Sequence, residues 1–426
     1  ILTIYNDQSK IYLATSDIMS QTNKYKRLGL NTTYTFIGNI GSHIISFILV
    51  PFYTYWMTKE DFGIQDLAQV YWVLVIPYLS LGLYEAVFIY PKGREINIQK
   101  EYFTTAIISV TAFVLLFIGV FKILPNSFIL LLFPGKMLGY VNSVLILICT
   151  GVYQRIIQNF ARGLDKMKVY SITGVLYAVV LCLGSVTLVP KFQLSGYFIA
   201  LTSAQVFAII YTFVAIKGWR YFSFDSYVFI RFKQMITYSI PLIPNATMWW
   251  IVNSLNRPFL ISAVGLDGIG IFAVAHKFPS IIGIVFTVFF SAMQISAIEE
   301  FGKKGYSSFY NNVFRLLLFL QFFIAFGFIL FSKLIFQLFV DPKFLEGFVY
   351  MPIMCVAVII SNLSIYVGLT FTALKETRYF LYSSILSALV AIAANFLFIP
   401  KFGIMGACLA ICISQLSMFF YRWYKS

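Results

Sequence analysis

Long apolar stretches separated by short polar segments dominate the chain. Each stretch could cross about 30 Å of hydrocarbon as an α-helix, which takes about 20 residues at a rise of about 1.5 Å. The pattern therefore predicts an all-α integral membrane protein with twelve transmembrane helices. The stretches lie at roughly 31–57, 67–91, 102–124, 137–161, 168–189, 193–217, 234–264, 269–298, 309–332, 347–373, 379–399 and 403–423.

The composition supports this fold class. The 426 residues are 60% hydrophobic and only 11% charged, whereas soluble proteins carry about 25% charged residues. This excludes a cytosolic enzyme, a secreted disulfide scaffold and a disordered protein. A membrane enzyme is disfavoured as well, because the segments between the spans are short and hold no cluster of acids or histidines. A P-loop pattern GxxxxGK[ST] is absent, so no ATP site of that type is predicted.

Basic residues are distributed unevenly between the two sets of connecting segments. With the amino terminus inside, twenty Lys and Arg residues fall in cytoplasmic segments and seven in the opposite ones. Positive charge near span ends favours the cytoplasmic side. We therefore expect a multi-pass protein of the bacterial inner membrane with both termini in the cytoplasm. Residues 1–26 would form a cytoplasmic tail, in which Met19 is a candidate native start, and binding of nucleic acid is not expected despite the net charge of +15.

Two internal matches divide the chain into halves. Residues 188–205 match residues 398–415 at an offset of 210, and residues 51–68 match residues 258–275 at an offset of 207. Each half holds six spans, so both have the same orientation, and pseudo-two-fold symmetry along the membrane normal is expected, with substrate between the lobes. The predicted lobes are 27–217 and 233–426, joined by a cytoplasmic linker at 218–232. The best-matched positions are Pro190, Lys191, Phe192, Gly196, Ala200 and Gln205, which fall on Pro400, Lys401, Phe402, Gly406, Ala410 and Gln415.

Polar residues recur along one face of the first span and one face of the seventh. Asn39 and Ser42 belong to the first stripe, while Asn245, Trp249 and Asn253 belong to the second. Polar side chains are costly in hydrocarbon. Since the stripes agree across the repeat, we expect them to line a central water-filled cavity. The alternative is that they join neighbouring helices through small polar contacts.

Two cations fall at one predicted depth. Arg257 and Lys277 each lie about eight residues inside the outer end of their spans, which corresponds to roughly 12 Å. A guanidinium and an ammonium group can share a polyanion such as a pyrophosphate. We therefore predict an anion site here, with snorkelling to the outer interface as the alternative.

Glu85, Arg155 and His43 are further ionisable residues within spans. Glu85 and Arg155 have similar depths in spans two and four, which favours a structural ion pair inside the first lobe. A titratable Glu85 that carries protons is the alternative, and His43 near the middle of span one is another candidate for ion coupling. No group of residues predicts a metal site or another cofactor, so energy is expected from an H⁺ or Na⁺ gradient.

Residues 25–67 resemble the opening of Wzx-type polysaccharide flippases, which transfer O-antigen or capsule repeat units. The shared features are a basic start, an Asn- and Gly-bearing first helix, the outer Pro51 and an acid–aromatic–Gly turn at Asp61, Phe62 and Gly63. The paired PKF turns before spans six and twelve are similar as well. These flippases belong to the polysaccharide transport family, within a superfamily that includes MATE exporters and the lipid II flippase MurJ.

The resemblance implies two six-helix lobes around a V-shaped cavity. It also implies alternating-access transfer of an undecaprenyl-pyrophosphate-linked oligosaccharide, with Arg257 and Lys277 suited to the pyrophosphate or to acidic sugars. A polysaccharide polymerase and a chain-length regulator would be partners. A MATE-like, cation-coupled exporter of small molecules is the alternative. It is weakened because the first span holds His43 and no carboxylate.

Overall fold

The computed structural model describes residues 45, 47–287, 289–290, 306–373, 376 and 378–426. Within these residues the regular secondary structure is helical throughout, and eight stretches are long and apolar enough to cross a membrane. The helices are α1 Phe47–Trp56, α2 Lys59–Leu79, α3 Leu83–Ile89, α4 Ile96–Ile123, α5 Asn126–Leu132, α6 Val141–Gly163, α7 Met167–Ile216, α8 Phe229–Ser239, α9 Leu242–Ser254, α10 Asn256–Lys277, α11 Tyr306–Leu330, α12 Ser332–Phe339, α13 Met351–Ala373 and α14 Arg378–Lys425.

Three of the long stretches are helical hairpins. Helices α7 and α14 have 50 and 48 residues, far more than one crossing of about 20 residues needs. Helix α7 reverses at Gln193, and Thr173 of one arm bonds Thr212 of the other over 2.8 Å. Helices α14 and α10 reverse at Gly403 and Gly265. The arms coincide with the predicted pairs of spans. The total of twelve stays a prediction, since most of the first span lies outside the described residues.

The reversals in α7 and α14 are copies of one turn. Gln193 has φ 49° and ψ −124°, and Gly403, 210 positions later, has φ 54° and ψ −126°. The second arm then packs closely on the first, because a Cβ on Gly196 or on its counterpart Gly406 would overlap a carbonyl oxygen of the preceding arm. The repeat seen in the sequence is therefore a repeated tertiary unit.

We expect Gln193→Gly to stabilise the protein. Positive φ strains any residue with a Cβ, and the second copy of the turn already has a glycine there. Relief of this strain should add about 1 kcal/mol to the free energy of unfolding. A rise of a few degrees in the thermal unfolding midpoint of the purified protein would confirm it. An unchanged or lower midpoint would contradict it.

The second span differs from the prediction of one helix at 67–91. Helix α2 begins earlier, because Thr58 and Asp61 form a reciprocal capping box. The predicted acid–aromatic–Gly turn is thus the first turn of a helix. The chain then breaks after Leu79, where Leu81 and Gly82 have φ of 50° and 66°, and continues as α3. This break changes which side chains face the neighbouring helices.

The seventh span consists of α8, α9 and the first arm of α10. Helix α8 begins at Phe229, so the last four residues of the predicted linker are helical. Helix α8, the inner part of this span, packs against α3 and α4 of the first half. Helix α9 packs against α2 of the first half and α14 of the second. The seventh span therefore lies between the two halves of the chain.

Candidate functional site

The ends of α2 and α10 that the charge pattern assigns to the outside cross with backbone against backbone. A Cβ on Gly63 would overlap the carbonyl oxygen of Leu266, and a Cβ on Gly270 would overlap that of Lys59. Gly63 and Gly270 are 207 positions apart, as are Lys59 and Leu266, so both contacts join repeat-related residues. The pseudo-two-fold axis consequently passes between the two glycines. We call this contact the outer crossing.

Further contacts join the halves around the outer crossing. The rings of Phe62 and Phe344 lie 5.6 Å apart, edge to face. The Lys59 ammonium is 2.6 Å from a Glu346 carboxylate oxygen, and the Lys343 ammonium donates to the Tyr55 carbonyl over 3.2 Å. The two halves are thus held together at this end by both apolar and polar contacts.

Elsewhere the halves meet along the seventh span. Trp250 Nε1 donates to the Val70 carbonyl over 2.9 Å, and the hydroxyls of Tyr78 and Thr247 are 2.6 Å apart. Near the inner end, Arg231 of α8 pairs with Glu101 of α4 over 2.8 Å. Among the described residues, α11, α13 and α14 do not pack extensively against α2–α7. The described contacts therefore favour closure at the outer end.

Arg257 lies just beneath the outer crossing and is almost fully buried. Its Nε donates to Asp66 over 2.9 Å, and its Nη1 donates to the Asn253 carbonyl over 2.6 Å and to Asn256 Oδ1 over 2.9 Å. The guanidinium also sits 4.7 Å from the centre of the Phe272 ring. Arg257 is therefore neither a lipid-interface anchor nor a free cation. It is half of an ion pair that joins the two lobes, which we call the interlobe ion pair.

Lys277 belongs to the same group of charges. The charges of Asp66 and Arg257 act on both Lys277 and His276. The structure thus brings the two predicted cations together and adds one carboxylate that the sequence analysis did not assign to the site.

Asn253 links this group to a small cavity in the second lobe. Its Oδ1 accepts a hydrogen bond from Gln415 Nε2 over 3.3 Å. The cavity has a volume of about 230 Å³, and Asn253, His276, Asn362 and Gln415 are among its lining residues. Asn253 therefore borders a cavity within the second lobe, whereas the central cavity between the lobes stays a prediction for its stripe.

The other stripe residues have different surroundings. Asn245 is exposed and Trp249 is half-buried, and neither borders that cavity. Trp249 contributes its carbonyl, which accepts from Asn253 Nδ2 over 2.8 Å. Asn39, Ser42 and His43 lie outside the described residues.

The predicted pair of Glu85 and Arg155 is wrong. Among the described residues Arg155 has no carboxylate within ion-pair distance, and its guanidinium lies over the rings of Trp72 and Tyr84. The break between α2 and α3 is the physical reason. It places Tyr84 over Arg155, while α3, which carries Glu85, packs against α8.

Sequence reasoning missed Asp66 because it searched for acids only within the two spans that carry the cations. A signal was present, since Asp66 follows Gly63 by three residues and so shares its helix face. Because Gly63 matches Gly270 in the internal repeat, the helix face that holds Gly63 and Asp66 could have been predicted to pack against α10. Within the described residues no group of His, Cys, Asp or Glu side chains is arranged to hold a metal ion.

Comparison with known proteins gives matches over most of the chain. A family model described as "Polysaccharide biosynthesis protein" matches residues 28–295. The capsular polysaccharide biosynthesis protein CapF of Staphylococcus aureus is 22% identical over 414 residues, covering 93% of this chain and 98% of that protein.

Solved transporters share the fold. A multidrug-resistance MATE family transporter of the MOP superfamily, described as inward-facing, matches with a TM-score of 0.74 at 13% identity, over 91% of this chain and 94% of its own. The lipid II flippase MurJ, in an inward closed conformation, matches with a TM-score of 0.69 at 15% identity, over 93% and 87%. These likenesses confirm the predicted all-helical, MATE-like fold.

Proposed function

Because the chain belongs to the family of polysaccharide biosynthesis proteins, we propose that it is a flippase for lipid-linked oligosaccharides. The family match over residues 28–295 on a MATE- and MurJ-like fold carries this proposal. The same match confirms the resemblance to Wzx-type flippases noted in residues 25–67. Family and fold are those of a multi-pass membrane transporter rather than an enzyme. The proposed substrate is an undecaprenyl-pyrophosphate-linked repeat unit for a surface polysaccharide.

The interlobe ion pair suggests how substrate and conformation are coupled. In the described state Asp66 occupies the Nε edge of Arg257. A diphosphate is a stronger partner for a guanidinium than one carboxylate, because it offers more anionic oxygens for paired hydrogen bonds. Substrate that binds Arg257 and Lys277 would thus displace Asp66 and weaken the contact between the lobes beneath the outer crossing. Binding energy would be used to open the outer end, as alternating access requires.

The proposed orientation places both termini and the linker in the cytoplasm of a bacterial inner membrane. Basic residues crowd at the inner end, where Lys166 donates to the Ile216 carbonyl over 3.2 Å. Partial burial together with the charges of Lys217 and Arg220 lowers the pKa of Lys166. Such a concentration of positive charge suits the cytoplasmic side.

An ion gradient is the proposed energy source, with H⁺ and Na⁺ as the candidates. Glu85 remains a candidate for coupling, since it is half-buried and has no ion pair among the described residues. A polymerase and a chain-length regulator are the proposed partners that would use the translocated repeat unit.

The proposed function predicts movement of an isoprenyl diphosphate in a purified system. Proteoliposomes that contain the full chain and a fluorescent isoprenyl-diphosphate oligosaccharide would be treated with a membrane-impermeant quencher. The protein should make the inner-leaflet fraction accessible at least tenfold faster than protein-free vesicles do. The same vesicles should not accumulate ethidium when a proton or sodium gradient is imposed.

The opposite result in this assay would favour the alternative function, export of small molecules. Gradient-driven ethidium accumulation without movement of the lipid would overturn the flippase and favour a MATE-like exporter of small molecules. Restoration of surface polysaccharide in a deletion strain of the source bacterium would provide the corresponding test in cells.

A further inference from the structure

Arg155 of α6 has no carboxylate counter-ion among the residues that the structure describes. Its guanidinium carbon lies 4.7 Å from the centre of the Trp72 ring and 5.5 Å from that of Tyr84. In the described part of the chain, Arg231 and Arg257 each meet a carboxylate. Arg162 and Arg422 lack a carboxylate but donate to neutral side-chain oxygens. Arg155 meets no carboxylate. The Tyr84 hydroxyl also interacts with the guanidinium. A guanidinium has five N–H donors, so donors remain for an anion.

A close contact between α6 and Trp72 supports this arrangement. Gly151 lies one turn before Arg155 on α6, and a Cβ there would overlap the Trp72 indole. The glycine therefore lets the indole lie against the helix, beneath the guanidinium. Aromatic rings hold a guanidinium by its faces and leave the N–H edges available for paired hydrogen bonds.

The depth of Arg155 differs from that of the interlobe ion pair. Arg155 lies eight residues before the inner end of α6 at Gly163, which corresponds to about 12 Å. Asp66 lies seven residues after the outer end of α2 at Lys59, or roughly 10 Å from the other side. An anion that enters from the cytoplasm would thus reach the level of Arg155 before that of Arg257.

We propose that Arg155, with Trp72 and Tyr84, is the entry site for the diphosphate group of the isoprenoid substrate on the cytoplasmic side. This proposal rests on the proposed function and adds a second anion site to it. Arg155 binds the diphosphate through its N–H edges while Arg257 is still engaged by Asp66. Movement from Arg155 to Arg257 then carries the headgroup toward the outer end.

Binding measurements on the purified full chain test this site. The probes are farnesyl diphosphate, farnesol and inorganic pyrophosphate, and the variants are Arg155→Gln, Arg155→Lys and Trp72→Leu. Arg155→Gln should weaken farnesyl diphosphate binding at least tenfold, Trp72→Leu should weaken it severalfold, and Arg155→Lys should retain part of it. Weaker binding of pyrophosphate than of farnesyl diphosphate would identify the lipid headgroup, rather than free diphosphate, as the ligand.

Arg162→Gln is the matched control, because Arg162 lies seven residues further along α6 and also sits over aromatic rings, those of Phe88 and Tyr170. The affinity of the Arg162→Gln protein for farnesyl diphosphate should stay within about twofold of the wild-type value, as expected for a change outside the site. Full affinity of Arg155→Gln would overturn the entry site alone. A wild-type protein that binds farnesol as well as farnesyl diphosphate would instead contradict the proposed function. If Arg155→Gln fails to fold, Trp72→Leu and Arg155→Lys decide the question.

Discussion

Gly63→Leu is expected to abolish transport and to hold the outer ends of α2 and α10 apart. Even a Cβ at this position overlaps the Leu266 carbonyl, and backbone cannot move aside as a flexible side chain can. Overpacking of this kind costs about 3 kcal/mol at the upper end of its usual range. The population of the state closed at the outer end would then fall by roughly a hundredfold.

Thiol labelling measures this change directly. A cysteine replaces Val70, which lies below the outer crossing and is buried, in a chain whose five native cysteines are serines. A membrane-impermeant maleimide applied from outside should leave this cysteine unmodified in the parent chain and label it after Gly63→Leu. Surface polysaccharide should be lost in the same cells.

Gly119→Leu and Gly327→Leu are the controls, because a Cβ at either glycine meets open space. Both should transport normally and leave the Val70 position protected. Gly270→Leu should reproduce the effect of Gly63→Leu, since it overlaps the repeat-related carbonyl of Lys59. Normal export by Gly63→Leu would show that the outer crossing does not form during transport.

Loss of the interlobe ion pair is expected to have the second large effect. Arg257→Gln leaves the carboxylate of Asp66 with only 17% of its side chain exposed and without its counter-ion. Breaking a buried pair costs about 3–5 kcal/mol, so we expect a thermal midpoint lowered by several degrees. Transport should fall below a tenth of the wild-type rate, because the proposed diphosphate site is lost as well.

Asp66→Asn separates the two roles of Arg257. It should lower the thermal midpoint as Arg257→Gln does, yet bind farnesyl diphosphate severalfold more tightly than the wild type, since the competing carboxylate is gone. Arg257→Gln should bind the same probe more weakly. Opposite changes in affinity would support competition at Arg257, whereas equal losses of affinity in both variants would indicate a purely structural pair.

Arg231→Gln provides the matched control for this experiment. Arg231 also joins the halves through a guanidinium–carboxylate pair, with Glu101 at 2.8 Å, but both side chains are partly exposed, at 24% and 30%. Exposed pairs contribute at most about 1 kcal/mol. This variant should therefore retain most of its stability and the full affinity for farnesyl diphosphate.

The helical fold, the repeat and the proximity of Arg257 and Lys277 could be predicted from the sequence, because hydropathy and internal matches report directly on spans and their equivalence. The pairing of Arg257 with Asp66 could not. The side chains that contact each other between neighbouring helices could not be predicted in this way. Glu85 and Arg155 share a predicted depth, yet the chain breaks at Leu81 and Gly82, and no ion pair forms between them. The position of a residue along its helix gives only the depth of its side chain in the membrane. Its contacts also depend on the direction in which the side chain leaves the helix, and a break in the helix changes that direction.

Arg422 shows the same limit. The charge pattern assigns it to a cytoplasmic segment, whereas in the structure it is fully buried and donates to Ser383 and to the Ser364 carbonyl. Its counterpart 210 positions earlier is Thr212, which bonds Thr173 at the position equivalent to Ser383. The repeat thus conserves the site of this contact but not its chemistry, which the sequence match alone does not reveal.

The outer crossing has a consequence that follows from its symmetry. The counterparts of Asp66 and Arg257 across the axis are Ala273 and Val50, both buried and both apolar. One side of the crossing therefore carries a buried, directional ion pair, while the repeat-related positions on the opposite side hold two apolar side chains. Separation of the halves at the Asp66 side breaks a buried ion pair, whereas separation at the Val50 side exposes apolar side chains. Such a contact favours opening in one direction, a preference that an unfused, symmetric pair of lobes would lack.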